Sequence, residues 1–316
     1  MLREHGSQIK STNSIDTDFL KSLNVPLLSK ALDRSPSAFL EAQDYAEDRI
    51  SAANRLGLCV THPLADNYPR RLRLRESFPS LLFVRGDIRA LDGDKQVAIV
   101  GTRAPTDYGH QMAQGVSGQL ASQGYTVVSG LALGCDTAAH QGALASDGLT
   151  VAVLSTPVEG AVYPLENQGL ADRIAETGGA LVSEYEPGAY PRGRSFAANL
   201  IARDEWQPAL SDGLIAAEAS STGGTNHAVR HALNSGLPVG VFDYGSRLSP
   251  AALGAQWYSG NRVYLEDPRV SPLFSRESVT EFERNMDHHR AERKLGVHNV
   301  DENTPSASSP TQPQLF

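Results

Sequence analysis

Short apolar runs alternate with longer amphipathic segments between residues 97 and 245. In chain order the runs are "VAIV", "TVVSG", "TVAVLS", "ALVSEY", "GLIAAEA" and "PVGVFDY". Strands that are apolar on both faces and separated by helices indicate a parallel sheet that helices cover on both sides. The pattern therefore predicts a doubly wound, mostly parallel α/β domain.

The segment after the first run has the spacing of a helix. Met112, Val116 and Leu120 recur every four residues, which predicts one apolar face that packs on the sheet. We expect this helix to begin near Asp107 and to end before Gly124.

Three regions of the chain differ in pattern. Residues 1–60 have apolar positions at three- and four-residue spacing and predict a small N-terminal helical module. Residues 61–275 hold the α/β domain. Residues 276–316 begin as a polar helix and end in "HNVDENTPSASSPTQPQLF", whose low apolar content predicts a flexible C-terminal tail.

Composition narrows the classes of function. The chain has 316 residues, 40% of them hydrophobic, and a net charge of -8, which argues against a protein that coats nucleic acid over its whole surface. Cys59 and Cys135 stand far apart and outside any zinc-ligand spacing, so neither a disulfide framework nor a metal site is predicted. We expect a cytoplasmic protein without a membrane contact, because neither a signal-peptide pattern nor a run of about 18 apolar residues is present.

Arginines are concentrated in two stretches, which are the candidates for a local basic patch. "YPRRLRLR" holds Arg70, Arg71, Arg73 and Arg75, and "PRGRS" holds Arg192 and Arg194. Such clusters form either a solvated face or a binding surface, and the sequence leaves both interpretations open.

The first apolar run ends in "GTRAPTDYG", a turn between a strand and a helix. Backbone N–H groups and the positive end of the helix favour an anion at such a turn. Thr102 supplies a hydroxyl there, and Arg103 supplies a planar cation that suits bidentate contact with a phosphate. Neither GxGxxG nor GxxxxGK[ST] is present, so NAD and ATP are not expected and no cofactor is predicted.

A second turn follows the next strand, in "VVSGLALGCDTAAHQGAL". Ser129, Gly130 and Gly134 precede a helix that carries Asp136 and His140 four residues apart. These two side chains are either a capping acid with a helix-stabilising partner or direct ligand contacts. Both interpretations stay open.

A third turn, in "EASSTGGTNHAVRHAL", places Ser221, Gly223, Gly224 and Thr225 at the start of a helix. Glycine is common at strand-to-helix turns for conformational reasons alone, so each turn by itself is weak evidence. Three such turns at one edge of one sheet together predict a phosphate-binding site.

Six segments, taken in order and with their spacing, resemble one known family. They are "DNYPRRLRLRESFPSLLFVRGD", "VAIVGTR", "GYTVVSGLALGCDTAAHQGAL", "TVAVLSTPVEGAVYPLEN", "GGALVSEYEPG" and "SDGLIAAEASSTGGTNHAVRHALNSGLPVGVF". They resemble the DNA-processing protein A (DprA/Smf) family over roughly residues 60–245, and the most specific are "SGLALGCDTAAH" and "VYPLEN".

This resemblance implies a Rossmann-like domain that binds single-stranded DNA in a basic pocket and forms a homodimer. It also implies a partnership with the RecA recombinase in transformation, and no catalytic activity. The positions that the resemblance assigns to the lining or support of the pocket are Arg103, Ser129, Gly130, Gly134, Asp136 and His140.

The sequence departs from the family in one basic segment. Family members carry Phe-Pro-x-Arg-Asn-Arg before the fifth strand, whereas "SFAANLIARDEWQPALSD" keeps Phe196 and Asn199 and has Ala198 and Leu200 at the arginine positions. Fewer arginines mean fewer phosphate contacts, so we expect weaker DNA binding with a smaller dependence on salt. The arginines that can compensate from nearby are Arg192, Arg194 and Arg203. The winged-helix module common in the family is not recognisable.

Two other functions remain open. The first is a nucleotide-sensing domain that binds a small phosphorylated signal in the same crevice. The second is a nucleoside-monophosphate hydrolase of the LOG type, whose catalytic Glu would fall near His227 and Ala228. Without that carboxylate the hydrolase lacks its main electrostatic support.

The last five residues, "QPQLF", resemble peptides that bind the bacterial replication sliding clamp. In such a peptide Leu315 and Phe316 enter an apolar pocket, while the Gln312 amide forms hydrogen bonds at its rim. A chance terminus and an intramolecular docking strand are the alternative interpretations.

Overall fold

One mixed sheet of nine strands runs through the part of the chain that the structure describes. The computed structural model describes residues 36–75, 78–190, 193–247, 249 and 254–302. The strands are β1 (Cys59–Thr61), β2 (Leu82–Gly86), β3 (Lys95–Val100), β4 (Tyr125–Ser129), β5 (Thr150–Val153), β6 (Ala180–Ser183), β7 (Leu214–Ala216), β8 (Val239–Phe242) and β9 (Val270–Leu273). Their order is β1-β2-β6-β5-β4-β3-β7-β8-β9. The seven strands from β6 to β9 in this order are parallel, and β1 and β2 add an antiparallel edge.

Helices cover both faces of this sheet. They are α1 (Pro36–Arg55), α2 (Arg70–Arg73), α3 (Asp107–Ser122), α4 (Cys135–Ala145), α5 (Gln168–Glu176), α6 (Arg194–Ala209), α7 (Thr225–Asn234), α8 (Ser259–Leu265) and α9 (Arg276–Glu302). Val97 and Ile99 of β3 pack with α3 and α4, while Ala98 and Val100 pack with α7 on the opposite face. The predicted doubly wound α/β fold is therefore confirmed.

All six predicted strands are present, and three further strands were not predicted. β1 and β2 form an antiparallel pair at one edge of the sheet, and β9 forms the other edge. β9 contains Pro272, which is tolerated in an edge strand because one side of such a strand forms no ladder. Short edge strands lack the long apolar run that identified the central ones.

The boundaries of α3 agree with the prediction. The helix begins at Asp107, and its N-cap residue Thr106 accepts a hydrogen bond from Gly109 N at 3.0 Å. It ends at Ser122, just before Gly124, whose φ of +83° is a backbone conformation that favours glycine.

The polar helix expected after residue 275 is α9, which packs along the amino edge of the parallel strands. Val279, Phe282 and Met286 on one of its faces are buried in the core that also contains Val97. The Tyr125 hydroxyl, at the start of β4, donates to α9 at Asp287 Oδ1 (2.6 Å). No described helix is long and apolar enough to cross a membrane.

Arg71, from the arginine-rich stretch, is buried at the same amino edge. Its guanidinium donates to both carboxylate oxygens of Asp212 at 2.9 and 2.8 Å, and to Gln96 Oε1 at 2.7 Å. It also donates to the carbonyls of Gly93 and Asp94. This network joins α2 to the starts of β3 and β7, so Arg71 belongs to the framework of the fold.

The other arginines of that stretch also contact the protein. Arg70 forms an exposed ion pair with Asp92 at 2.7 Å, and Arg73 donates to the Ala65 carbonyl. Arg75 donates to Ser235 Oγ. The stretch is therefore neither a simple solvated face nor a continuous cationic surface.

We predict that Arg71→Ala lowers the free energy of unfolding by about 3–5 kcal/mol, because the Asp212 carboxylate then stays buried without its partner. Chemical denaturation of the full chain measures this loss. Arg70→Ala is the matched control and should change stability by less than about 1 kcal/mol, because the Arg70–Asp92 pair is exposed. Equal effects of the two substitutions would contradict this role of Arg71.

Candidate functional site

A cleft of about 270 Å³ opens at the carboxyl ends of β3 and β7. These strands are neighbours in the sheet, and the chain leaves them toward opposite sides of it, so the cleft lies where open α/β sheets usually bind ligands. The residues that line it come from the end of β3, from the turns after β3, β4 and β7, and from α4, α6 and α7. They are Val100, Gly101, Thr102, Arg103, Ala132, Asp136, Arg203, Asp204, Gln207, Ser220, Gly223, Gly224, Thr225 and Ala228.

The turns after β3, β4 and β7 are held together through their backbones. Thr102 N donates to the Glu218 carbonyl at 2.7 Å, and Cys135 N donates to the Thr102 carbonyl at 3.1 Å. Gly134 has a φ of +80°, and a Cβ there would lie 2.5 Å from Thr102 O. A Cβ at Gly101 would lie 2.5 Å from Cys135 Sγ. Glycine is therefore required at both positions for the turns to approach this closely.

The buried carboxylate of Glu218 holds together the segments behind the cleft. It accepts hydrogen bonds from Thr106 N at 2.8 Å, from Thr106 Oγ1 at 2.6 Å and from the Tyr244 hydroxyl at 2.8 Å. Burial raises the pKa of Tyr244, and the charge of Glu218 raises it further. Glu218 was not predicted as a site residue, although an acid at the end of the apolar run "GLIAAEA" is a signal for it.

Asp136 and Arg203 form the floor of the cleft. Asp136 Oδ2 accepts hydrogen bonds from Gly130 N at 3.2 Å and from Ala132 N at 3.3 Å. Burial raises the pKa of Asp136 to about 6, against the opposing charge of Arg203. Arg203 is itself buried and donates to the carbonyls of Gly130 and Val153.

The charges of the cleft are unevenly placed between its floor and its mouth. Asp204 pairs with Arg203 at 3.3 Å on the floor, and burial raises the pKa of Asp204. The rise is opposed by the positive charges of Arg203, His227 and Arg103. The guanidinium of Arg103 is therefore close enough to interact electrostatically with the Asp204 carboxylate. Arg103 is exposed, so its guanidinium remains at the mouth, where a ligand in solution can reach it.

The turn after β7 brings the start of α7 to the cleft. Asn226 Nδ2 holds this turn by donating to the carbonyls of Ser220 (3.1 Å) and Gly223 (2.6 Å). The N-cap residue Gly224 has no side chain to accept from the first-turn N–H groups. Those groups, with Thr225 beside them, provide the positive end of a helix to an anion.

Several residues predicted from the sequence do come together at the cleft. Among the lining residues are Thr102, Arg103, Asp136, Gly223, Gly224 and Thr225. Gly130 and Gly134 support this lining from within the turn after β4. Asp204 and Gln207 were not named, because their place in the cleft depends on how α6 packs rather than on a local motif.

The structure does not bring Ser129 and His140 to the cleft. Ser129 is buried and donates through Oγ to the Ile99 carbonyl at 2.6 Å, which ties β4 to β3. His140 Nδ1 lies 2.7 Å from Thr150 Oγ1, and burial lowers the pKa of His140 to about 3. His140 therefore acts within the core, whereas Ser129 also hydrogen-bonds to Asp136 and so supports the floor of the cleft from below.

The remaining predicted residues are not among those that line the cleft, or they fall outside the described part of the chain. Ser221 donates through its backbone N to Ser259 Oγ at 2.9 Å, and Asn199 is half-buried in α6. Arg192 and the side chain of Arg194 fall outside the described residues. Within those residues, no cluster of His, Cys, Asp or Glu is suited to a metal ion.

Comparison with known proteins gives a consistent result. The family model for DNA recombination-mediator protein A matches residues 59–266. The Smf protein of Escherichia coli is 35% identical over 190 residues, which are 60% of this chain and 49% of that protein. The chain therefore spans about half the length of this relative.

Two solved structures resemble this chain over most of its length. DNA processing protein A from Streptococcus pneumoniae superposes with a TM-score of 0.69 and 27% identity, covering 89% of this chain and 90% of that one. DNA processing protein A from Helicobacter pylori, whose single-stranded DNA binding mode has been described, gives a TM-score of 0.61 and 26% identity, with coverage of 72% and 96%. The order of motifs and the match of the family model agree: the chain belongs to the DNA recombination-mediator protein A family.

Proposed function

We propose that this protein binds single-stranded DNA through the sugar-phosphate backbone at the cleft between β3 and β7. The observation that carries the proposal is the exposed guanidinium of Arg103 beside the start of α7, at the point where the sheet topology reverses. The relative from Helicobacter pylori, described as binding single-stranded DNA, supports the same ligand.

The groups at the mouth suit a phosphate diester. Arg103 provides a planar fork that donates two parallel hydrogen bonds to phosphate oxygens. The first-turn N–H groups of α7 add the partial positive charge of a helix N-terminus. The hydroxyls of Thr102 and Thr225 line the same opening and are further donors.

Two aromatic side chains at the same edge of the sheet suit the bases. Tyr163 follows β5, Phe196 lies in the first turn of α6, and their rings meet edge to face with centroids 4.7 Å apart. Tyr163 is 47% exposed. Unpaired bases stack on such rings regardless of sequence, at about 1–3 kcal/mol per base. A strand whose phosphates lie at the cleft would direct its bases toward this pair.

Few phosphates should be bound at the cleft. Ala198 and Leu200 occupy the arginine positions of the family segment, and Arg203 is buried in contact with Gly130 and Asp204. Arg203 therefore supports the floor and does not compensate as a phosphate contact. For a strand that reaches only the cleft, we expect log affinity to fall with log salt concentration at a slope of about -1.

The cleft is better suited to binding than to hydrolysis. Its carboxylate Asp204 pairs with the buried Arg203, whose charge also favours the ionised form of Asp136, and Ala228 lines the wall where a LOG-type hydrolase would need its Glu. We therefore propose a non-catalytic role. Preference for a free mononucleotide over a DNA strand would instead favour the nucleotide-sensing alternative.

Three further partners are predicted from the sequence. The homodimer and the RecA partnership are implied by the family resemblance, and light scattering of the purified chain tests the first. The sliding-clamp peptide, with Gln312, Leu315 and Phe316, lies outside the described residues.

We predict that Arg103→Ala weakens the binding of a short oligodeoxythymidine by about tenfold to a hundredfold at low salt. A charge-assisted hydrogen bond to phosphate contributes about 1.5–3 kcal/mol, which corresponds to that range. Fluorescence anisotropy with a labelled oligomer measures it, and deoxythymidine monophosphate is titrated in parallel.

Arg89→Ala is the matched control for this variant. Arg89 is exposed and pairs only locally with Asp87, beyond the end of the antiparallel β2 and so at the opposite edge of the sheet. The Arg89→Ala variant also loses one positive charge, and it should bind the oligodeoxythymidine with unchanged affinity. A folded Arg103→Ala variant that binds as tightly as the Arg89→Ala variant would remove Arg103 from the site.

A further prediction concerns the C-terminal peptide. A fluorescent peptide of residues 305–316 should bind purified bacterial sliding clamp with micromolar affinity, because Leu315 and Phe316 can enter an apolar pocket from an extended segment. The control peptide carries Leu315→Ala and Phe316→Ala. Negligible binding by both peptides would reject the clamp as a partner.

A further inference from the structure

A second pocket lies at the amino edge of the sheet, opposite the cleft. It has a volume of about 590 Å³ and lies where the end of α7 meets α9 and the segment after α2. Three basic side chains from different parts of the chain line it: Arg75, His289 and Arg293. One acidic side chain, Glu205 of α6, also contributes to its wall.

The path of α9 explains why its two basic residues reach this pocket. The helix is fixed to the starts of β3 and β4 by Lys95, which pairs with Asp287 at 3.5 Å, and by Tyr125. Beyond this point α9 continues under β7 toward the C-terminal end of α7. His289 and Arg293 lie four residues apart on one face, so both side chains reach the same pocket.

Positive charge is concentrated here. Burial lowers the pKa of Arg293, and the neighbouring Arg71 lowers it further, although Asp212 opposes the effect. Burial also lowers the pKa of Arg75, with Arg293 as a second cause and Glu205 opposing. Asp212 already accepts two hydrogen bonds from Arg71 and one from Gln96 N, so much of its charge is compensated.

The same environment affects the histidine of this pocket. Burial lowers the pKa of His289, and the charge of Arg293 adds to this effect, while Asp212 and Glu292 oppose it. A phosphate between these side chains would reduce the repulsion among them. The pocket therefore has the electrostatic character of an anion site.

Helices α6 and α7 connect the two pockets. They pack side by side, begin at the carboxyl edge and end at the amino edge, since they lead into the parallel strands β7 and β8. The ten residues of α7 span about 15 Å. At the 3.4 Å spacing of phosphates along a stacked strand, this distance corresponds to about four to five nucleotides.

We propose that the Arg75–His289–Arg293 pocket is a second phosphate site, which binds the continuation of the DNA strand that the cleft holds. The inference rests on the proposed function of the cleft. In this proposal α9 helps to bind DNA strands that are long enough to pass along α6 and α7. A strand of about three nucleotides reaches only the cleft.

The experiment compares oligodeoxythymidines of about three and about fifteen nucleotides on the full chain. Arg293→Ala should leave the affinity for the short strand unchanged and weaken the long strand by about tenfold at low salt. For the long strand, the slope of log affinity against log salt concentration should become shallower by about 0.7, the value expected for one lost phosphate contact on a single strand.

Arg284→Ala is the matched control, because Arg284 is an exposed arginine of the same helix. Nine residues separate it from Arg293, which places the two on opposite faces of α9. It should alter neither affinity nor slope, and thermal unfolding of both variants checks that they fold.

The outcomes separate the two proposals. An unchanged long-strand affinity and slope in a folded Arg293→Ala variant, with normal binding by the wild type, would overturn the second site and leave the cleft in place. Equal loss for the short and long strands would also overturn it. A wild-type chain that binds neither strand would overturn the proposed function together with this extension.

Discussion

The geometry of the candidate site depends on one buried carboxylate. Glu218 ends the β7 segment, and its oxygens accept hydrogen bonds from the backbone and hydroxyl of Thr106 and from the hydroxyl of Tyr244. A buried carboxylate is tolerated only when it is paired in this way, so these contacts fix the start of α3 and the segment after β8 relative to β7. Through its carbonyl, Glu218 also receives the N–H of Thr102, which sets the path of the turn that carries Arg103.

The charged side chains of the cleft lie at two depths, on its floor and at its mouth. Asp136, Asp204 and Arg203 lie on the floor, where two carboxylates face one guanidinium, so the floor itself is not basic. The exposed cation that remains at the mouth is Arg103. A site built in this way contacts few phosphates, which explains why a second basic pocket at the far ends of α6 and α7 would matter for a longer strand. Affinity would then depend on strand length more than on any one contact.

Periodicity predicted the central strands because both of their faces are buried, whereas the edge strand β9, with Pro272, lacked that signal. The turns at the cleft could be predicted because glycine and strand-to-helix changes are local features. The roles of individual side chains could not, since the sequence does not show which face a residue turns to. His140 has suitable chemistry but is buried against Thr150, while Asp204 and Glu218 reach the site through tertiary packing.

Photo-crosslinking tests most directly whether DNA occupies the cleft. The full chain is bound to an oligodeoxythymidine that carries photoreactive bases, irradiated, digested and analysed by mass spectrometry. Crosslinks should concentrate on the turns at Arg103 and at residues 223–225, which line the cleft, and on the aromatic pair Tyr163 and Phe196 at the same edge of the sheet. Crosslinks confined to the outer face of α3, with the cleft unlabelled, would contradict the assignment of the DNA site.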